Sequence, residues 1–342
     1  MNARKTASTK TRGPTTRPLI AADLDAVVSV DAALNGRTRR GYYERRLAAA
    51  KRAPALHAQF AVEEGGRFTG YVLGKVLEGE FGRAEPALRL EVIGVSPEAQ
   101  GHGDGLALCK ALEADARGHG IHELRTGASW HDHRMLLFLD HAGWSLGSNH
   151  VIDCRIADSK LGSSGEDPVG LEPRERPGDK NDYGVPAAND FETLARDLAD
   201  VRSLSEQDLE PVTRIDRRLT GRNRGAYMKH KLGEALADSG IRISLVARIE
   251  DSVAGYLMAS ADYGDFGRTE PVAIVDTIGV DPGFARRGIG RALLSQLFVN
   301  LRALHIERVE TVLAKANLDL LEFFYRAGFG PSERLAFVKR LD

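Results

Sequence analysis

The chain has 342 residues, 47 basic and 48 acidic, with a net charge of −1 and two cysteines, Cys109 and Cys154. That balance argues against a dedicated nucleic-acid binder, whose affinity rests on a basic patch, and the cysteines lack metal-type spacing and suit a reducing compartment. No apolar run approaches the ~18 residues needed to cross a membrane, so a cytoplasmic protein without a membrane partner is expected.

Residues 1–16 are rich in Lys, Arg, Ser and Thr, carry no acid and no apolar face, and are expected to be a disordered tail. Residues 17–157 and 201–342 read as two domains, each able to bury its own core, joined by a linker over 158–200. Ser159–Asp190 is dense in Gly, Pro, Ser and charge, and Phe191–Leu198 is compatible with a short helix. In the second domain, helices are predicted over Glu206–Leu219 and Ala226–Leu236, with a polar connection between them. Ile243–Ile249, Ala254–Ala259 and Val272–Val280 are strand-like runs. A helix opens near Gly288, with Ile289, Leu293, Leu297 and Leu301 four residues apart. A strand at Arg308–Leu313, a helix at Leu318–Ala327 ended by Gly328, and a strand at Leu335–Lys339 complete the unit. This order predicts an α+β fold: a mixed sheet flanked by helices, with one strand–loop–helix crossover at its centre.

The two domains are copies of one another. Asp31, Gly36, Arg37, Arg39 and Tyr42 recur as Asp216, Gly221, Arg222, Arg224 and Tyr227, an offset of 185 (216 minus 31) at every pair. The same offset relates Gly70-Tyr71 to Gly255-Tyr256, Ile93-Gly94-Val95 to Ile278-Gly279-Val280, Gly103 and Gly105 to Gly288 and Gly290, and Arg155 to Arg340. A repeat this long exceeds a solenoid unit of roughly 20–50 residues and is the size of a whole domain.

The chemistry is concentrated in Thr277–Leu294. A strand ends at Val280, and a loop with Gly288 and Gly290 leads into a helix whose first turn offers unpaired N–H groups and the positive end of its dipole. That arrangement suits a pyrophosphate, and Arg286, Arg287 and Arg291 add positive charge. It is neither the dinucleotide fingerprint, because Leu293 stands at the third glycine, nor a P-loop, because no Lys-Ser/Thr follows. The Arg-Arg-Gly-Ile-Gly-Arg run, with Asn317 and Phe323-Phe324-Tyr325-Arg326-Ala327-Gly328-Phe329 downstream, resembles the GNAT superfamily of acyl-CoA-dependent N-acetyltransferases. The first copy resembles it too, in Gln100-Gly101-His102-Gly103-Asp104-Gly105 and Phe138–Trp144.

The resemblance implies that acetyl-CoA is the acyl donor. Its pyrophosphate would lie on Arg286, Arg287, Gly288, Ile289, Gly290 and Arg291, and its pantetheine along Ile278, Gly279 and Val280, with Asn317 also on the donor. Ala285 departs from the family's usual Gln or Arg. The resemblance also places a thiolate-protonating Tyr where this chain has Phe324, with Tyr325 one position on. A side chain at 325 is turned by ~100°, so Tyr325 is either that acid or a packed residue. The region between the first two helices lines the acceptor pocket in the family. Arg222, Arg224 and Tyr227 there would hold a carboxylate-bearing acceptor, or Arg224 forms an internal ion pair with Asp216.

Transfer to an amine needs a base. Strict alternation puts Asp276 on the face of Ile278, which makes Asp276, matched by Glu91, the base candidate; the alternative is an ordinary ion pair. The first loop has Asp104 and no Arg or Lys between Gln100 and Leu106. Charge-assisted hydrogen bonds contribute roughly 1.5–3 kcal/mol each, so the first copy is expected to be degenerate and the second catalytic, with one donor bound per chain. Asp104 would repel phosphate, or else point outward without effect. Trp130, His131, Asp132, His133 and His141 do not share a helix face, and no metal is expected. Cys109 reads as core.

The expectation is a monomeric or homodimeric N-acetyltransferase. It would transfer acetyl from acetyl-CoA to a primary amine of a small molecule or peptide by direct attack in a ternary complex. The alternative is a non-catalytic acyl-CoA sensor or scaffold.

Overall fold

The computed structural model describes residues 13–80, 85–161, 199–237, 243–262, 264, 268 and 270–342. The first half runs β1 (Thr15–Pro18), α1 (Leu24–Asn35), α2 (Arg40–Arg52), β2 (His57–Glu64), β3 (Arg67–Leu77) and β4 (Ala87–Val95). It continues through α3 (Asp104–Gly118), β5 (Glu123–Ser129), α4 (His133–His141), β6 (Ser145–Leu146) and β7 (His150–Arg155). The second half repeats this as β8 (Asp200–Ser203), α5 (Leu209–Thr220), α6 (Gly225–Ala237), β9 (Leu245–Ile249), β10 (Ser252–Asp262) and β11 (Val272–Val280). It ends with α7 (Ile289–Ala303), β12 (Arg308–Leu313), α8 (Leu318–Arg326), β13 (Gly330–Pro331) and β14 (Arg334–Arg340).

The predicted elements of the second half are therefore present within a few residues, and the α+β fold is the one expected. The strand β1 begins at Thr15, two residues inside the expected tail. Most of that tail, and the short helix expected at Phe191–Leu198, lie outside the described residues.

The two copies do not close their own sheets. The first sheet has the strand order β1-β2-β3-β4-β5-β14-β6, and the second β13-β7-β12-β11-β10-β9-β8. The strand β14 pairs antiparallel with β5 from Arg334–Ser129 to Arg340–Glu123, and β7 with β12 from Arg308–Arg155 to Leu313–His150. The side chains follow the backbone: Phe337 and Leu341 are buried in the first core, and Ile152, Cys154 and Ile156 in the second. The expectation that each copy buries a core of its own is thus corrected. Duplicated sequences present near-identical strand edges, so the pattern of β7 or β14 alone does not say which edge it joins.

Each α1–α2 or α5–α6 corner is tied by the repeated Asp and Arg. Asp31 and Asp216 are each 1% exposed. Arg39 and Arg224 each grip the corresponding Asp through two nitrogens, and Tyr71 and Tyr256 direct their hydroxyls to it. Cys109 lies in the core as expected, and burial pushes its thiol up to about 12.

His57, at the start of β2, has a buried Nδ1 without a hydrogen-bond partner among the described residues. Burial lowers its pKa from 6.5 to about 4. The folded imidazole is therefore neutral, and its contribution is intact above pH 6.5. Between 6.5 and 4 the unfolded chain takes up a proton that the folded chain does not, so stability falls with pH. At about 1.4 kcal/mol per pH unit the loss reaches about 3 kcal/mol. Urea titrations at pH 7 and pH 4 should show His57→Gln lacking that part of the loss; equal slopes in both proteins would refute it.

Candidate functional site

In each half the two parallel central strands pair only briefly. The strands β4 and β5 pair at Leu88–Leu124 and Arg89–Arg125, and β11 and β12 from Val272–Arg308 to Ile274–Glu310. The parting coincides with a β-bulge. Leu73 faces Val92 while Gly74 faces Leu90, so Glu91 is the extra residue; Met258 faces Thr277 while Ala259 faces Val275, so Asp276 is. The hydroxyls of Thr126 and Thr311 donate across the gap to the carbonyls of Leu90 and Val275, both at 3.0 Å.

The bulge corrects the reading of Asp276. Ala273 and Val275, and beyond the bulge Ile278 and Val280, all pack into the core that includes α7. An inserted residue shifts the alternation by one, so Asp276 leaves the face of Ile278 and meets Lys231 of α6 at 3.1 Å. Asp276 is 7% exposed. Glu80, from the first half, lies 3.4 Å from the same Nζ, and Glu234 3.8 Å. Burial opposes the Lys231 charge, but these three carboxylates hold its pKa well above the usual range. Glu91 is likewise ion-paired, with Arg89 at 2.7 Å and Arg46 at 3.4 Å.

Beyond Val280 the chain enters α7 just after Gly288, and one feature of this loop is unexpected. Gly288 has φ 81°, as Gly103 has φ 95°, but Arg286 adopts φ 63° where the first copy has Gly101 at φ 85°. A left-handed backbone at a non-glycine residue costs about 1–2 kcal/mol. Arg286 and Arg287 are exposed, with the Arg287 guanidinium 5.6 Å from the ring centre of Phe284. Arg291 instead donates to the carbonyl of Lys160 at 3.1 Å, so two of the three arginines face solvent at the loop. Ile289 is buried, and Gly290 passes so close to Phe323 that a Cβ would sit 3.3 Å from its ring. A Cβ on Gly279 would lie 2.6 Å from Tyr256, which explains the repeated Gly-Tyr and Ile-Gly-Val pairs.

Asp104, in the first half, takes neither of the orientations expected. It is 1% exposed and accepts a hydrogen bond from Thr69 at 2.5 Å, beneath the loop rather than on it. Arg134 of α4 reaches the same loop, donating to Gln100 at 2.5 Å. A cleft of about 680 Å³ opens here, from Val92 and Gly94 past Gly101 and Gly105 to Phe138. A second cavity, of about 200 Å³, lies between the halves and is lined by Asp276, Glu80, Arg125, Glu310 and Arg334 among others.

The remaining candidates scatter. Arg224 is 7% exposed and committed to Asp216, so the internal ion pair is the arrangement adopted. Arg222 is exposed. Tyr227 is buried beneath the Arg224 guanidinium, and burial pushes its hydroxyl well above 10. Tyr325 is 39% exposed, whereas Phe324 is fully buried against Phe329. The helical turn between neighbours thus sends Tyr325 to solvent, and the acid-like position is filled by a ring that cannot donate a proton. Asn317 opens α8 without capping it, unlike Asp132, which accepts from Met135 N. Among the described residues no group of His, Cys, Asp or Glu is arranged for a metal ion, and no helix is long and apolar enough to cross a membrane.

Three residues with contacts at these strands and loops, Lys231, Thr311 and Arg134, escaped the sequence reading. Lys231 pairs with Arg46 at the 185-residue offset, and Thr311 with Thr126, so extending the repeat comparison to chemically similar residues would have found them. Arg134 stands opposite Asp319 in the repeat and carried no such signal.

The acetyltransferase (GNAT) family model matches residues 29–143 and 210–329. A mycothiol acetyltransferase of Propionibacterium freudenreichii is 37% identical over 59 residues, 17% of this chain and 19% of that protein, so the match spans about a fifth of the relative's length. A tandem GNAT protein from the clavulanic acid biosynthesis pathway superposes with a TM-score of 0.59 at 19% identity, covering 96% of this chain and 98% of that one. A GCN5-related glucosamine N-acetyltransferase region of a fungal multi-domain β-N-acetylglucosaminidase gives 0.63 at 14% identity, covering 98% of this chain and 39% of that one. A GCN5-related N-acetyltransferase from Sphaerobacter thermophilus gives 0.56 at 16%, covering 96% and 95%. With a family match in each half and a fold shared along nearly its whole length, the chain belongs to the GNAT acetyltransferase family and carries two such domains in tandem.

Proposed function

We propose that the protein transfers acetyl from acetyl-CoA to a primary amine by direct attack in a ternary complex, with the donor held in the second half. The observation that carries this reading is Arg286. An arginine kept on a left-handed backbone, where the sister loop uses glycine, bears a conformational cost and places a guanidinium at a helix N-terminus suited to phosphate. The donor set fits acetyl-CoA: loop N–H groups from Gly288 to Gly290, Arg286 and Arg287 for the phosphates, and the free edge of β11 from Ile278 to Val280 for the pantetheine arm. Bound acetyl-CoA supplies the activated thioester. Asp276, at the bulge beside that edge, accepts the ammonium proton of the acceptor. Lys231 keeps Asp276 in place, and Thr311 holds the strands at the point where they part.

Arg286→Gly separates this role from a structural one. Relief of the backbone should leave stability unchanged or raised, while acetyl-CoA binding weakens about tenfold to a hundredfold. Calorimetry on the full chain should find one tight site, weakened at least tenfold in this variant, with any binding in the first-half cleft at least tenfold weaker than in the unaltered second half. A stoichiometry of two at similar affinity, untouched by Arg286→Gly, would overturn the assignment to the second half.

A further inference from the structure

We infer that Glu80, a residue of the first half, is a positioning residue for acetyl transfer in the second: by sharing the Lys231 ammonium it leaves the Asp276 carboxylate able to take the acceptor's proton. This rests on the reading of Asp276 given above.

The end of β3 and the residues that follow it reach across to α6 at three places. Lys75 meets Glu234 at 2.8 Å, Glu78 meets His230 at 2.7 Å, and Glu80 meets Lys231 at 3.4 Å. The last contact falls on the side chain that holds Asp276. The Lys231 side chain is 12% exposed and that of Glu80 15%, so solvent and salt screen this pair only weakly.

The two halves surround the repeated acid differently. Glu91 is held by two guanidiniums, those of Arg89 and Arg46. At the 185-residue offset Ile274 stands for Arg89, Lys231 for Arg46, and Glu234 for Ala49. The second half has thus lost one cation beside its acid and gained a carboxylate beside the cation that remains. Glu80 adds another carboxylate from outside the unit. A nearby cation favours the charged form of an acid, and nearby carboxylates oppose it. Two guanidiniums suit a fixed ion pair, whereas one shared ammonium suits a group that has to accept a proton.

The other charges at this place moderate the effect without changing its sign. Burial opposes the charge of Glu80, but Lys231, its own backbone N–H and Arg89 hold its pKa below the usual carboxylate range. Burial likewise opposes Glu234, which Lys231 and Lys75 pull down to about 2. Both acids are therefore ionised at neutral pH. The Tyr227 ring lies 5.9 Å from the Lys231 Nζ, and burial keeps its hydroxyl protonated, as burial keeps His57, near Glu234, neutral.

The test uses the full chain and two readouts. Turnover is followed by thiol release from acetyl-CoA with ethylamine, L-serine and glycylglycine as acceptors, across pH. Independently of turnover, the Asp276 carboxyl is followed by NMR in ¹³C-aspartate-labelled protein, its resonance being the one missing from Asp276→Asn. In Glu80→Gln the acidic limb of kcat/KM and the Asp276 resonance should both move to lower pH, by about half a unit to two units. Glu80→Asp, which keeps the charge, should stay close to the unaltered chain. Glu78→Gln breaks the neighbouring tie to His230 without touching Lys231 and should leave both readouts in place. A moved resonance with no turnover of any amine supports the role of Glu80 and refutes acetyl transfer. An unmoved resonance in Glu80→Gln overturns the inference whatever the turnover. Equal shifts in Glu78→Gln and Glu80→Gln overturn it as well, because loosened docking of α6 would then explain both.

Discussion

Neither half should fold when expressed alone. A fragment of residues 199–342 lacks β7, so β12 loses its antiparallel partner from Arg308 to Leu313, and Ile152, Cys154 and Ile156 are missing from the core. Its own β14 has no β5 to join. Cutting the chain after residue 333 does the converse to the first half, removing Phe337 and Leu341 from a core in which they are 7% and 4% exposed. Loss of a buried Phe and a buried Leu costs on the order of 5–10 kcal/mol together, comparable with the whole stability of an ordinary domain, ~5–15 kcal/mol. The unpaired edges would also promote aggregation. Circular dichroism melts of the truncated chain and of both fragments should lack the cooperative transition of the full protein, and mixing the two fragments should restore part of it. A cooperative melt from residues 199–342 alone would refute the argument.

Asp276→Asn should lower kcat by about 10²–10⁴, the usual contribution of a positioned general base, and leave acetyl-CoA affinity within about twofold. The substitution is close to isosteric and removes one of three carboxylates around Lys231, leaving Glu80 and Glu234 to balance the buried ammonium. Collapse of the fold is therefore not expected, and melting temperature and donor binding serve as controls. If Asp276 only anchors Lys231, the variant will lose stability and keep most of its turnover per folded molecule. Retention of more than half the wild-type kcat would remove Asp276 from the chemistry.

Much of this protein was legible in its sequence. The 185-residue repeat, the strand Val272–Val280, the helix that follows Gly288 and the loop between them rest on local rules. Side-chain periodicity, the backbone freedom of glycine and the polarity of a helix terminus all act within a few residues. For the same reason Cys109 could be assigned to the core, and the resemblance to the GNAT superfamily could rest on two short motifs at a fixed separation. The choices that sequence left open were those set by groups distant in the chain. Arg224 chose Asp216 because the helical corner folds them together in a buried place where an unpaired charge is costly.

Where local rules failed, the cause was tertiary. A bulge opposite Met258 and Ala259 broke the strict alternation at Asp276 and turned it toward Lys231. Whether a strand carries an extra residue depends on its partner's register, which its own sequence does not state. Asp104 turned inward because Thr69, on a neighbouring strand, offered a hydroxyl. Above all, the exchange of β7 and β14 lies beyond any local pattern. Two copies of one sequence offer two equivalent edges, and the choice between them depends on how the halves pack together. That packing also creates the cavity where Asp276, Glu80, Arg125 and Glu310 meet from four separate elements and loops, so its walls exist only in the assembled fold.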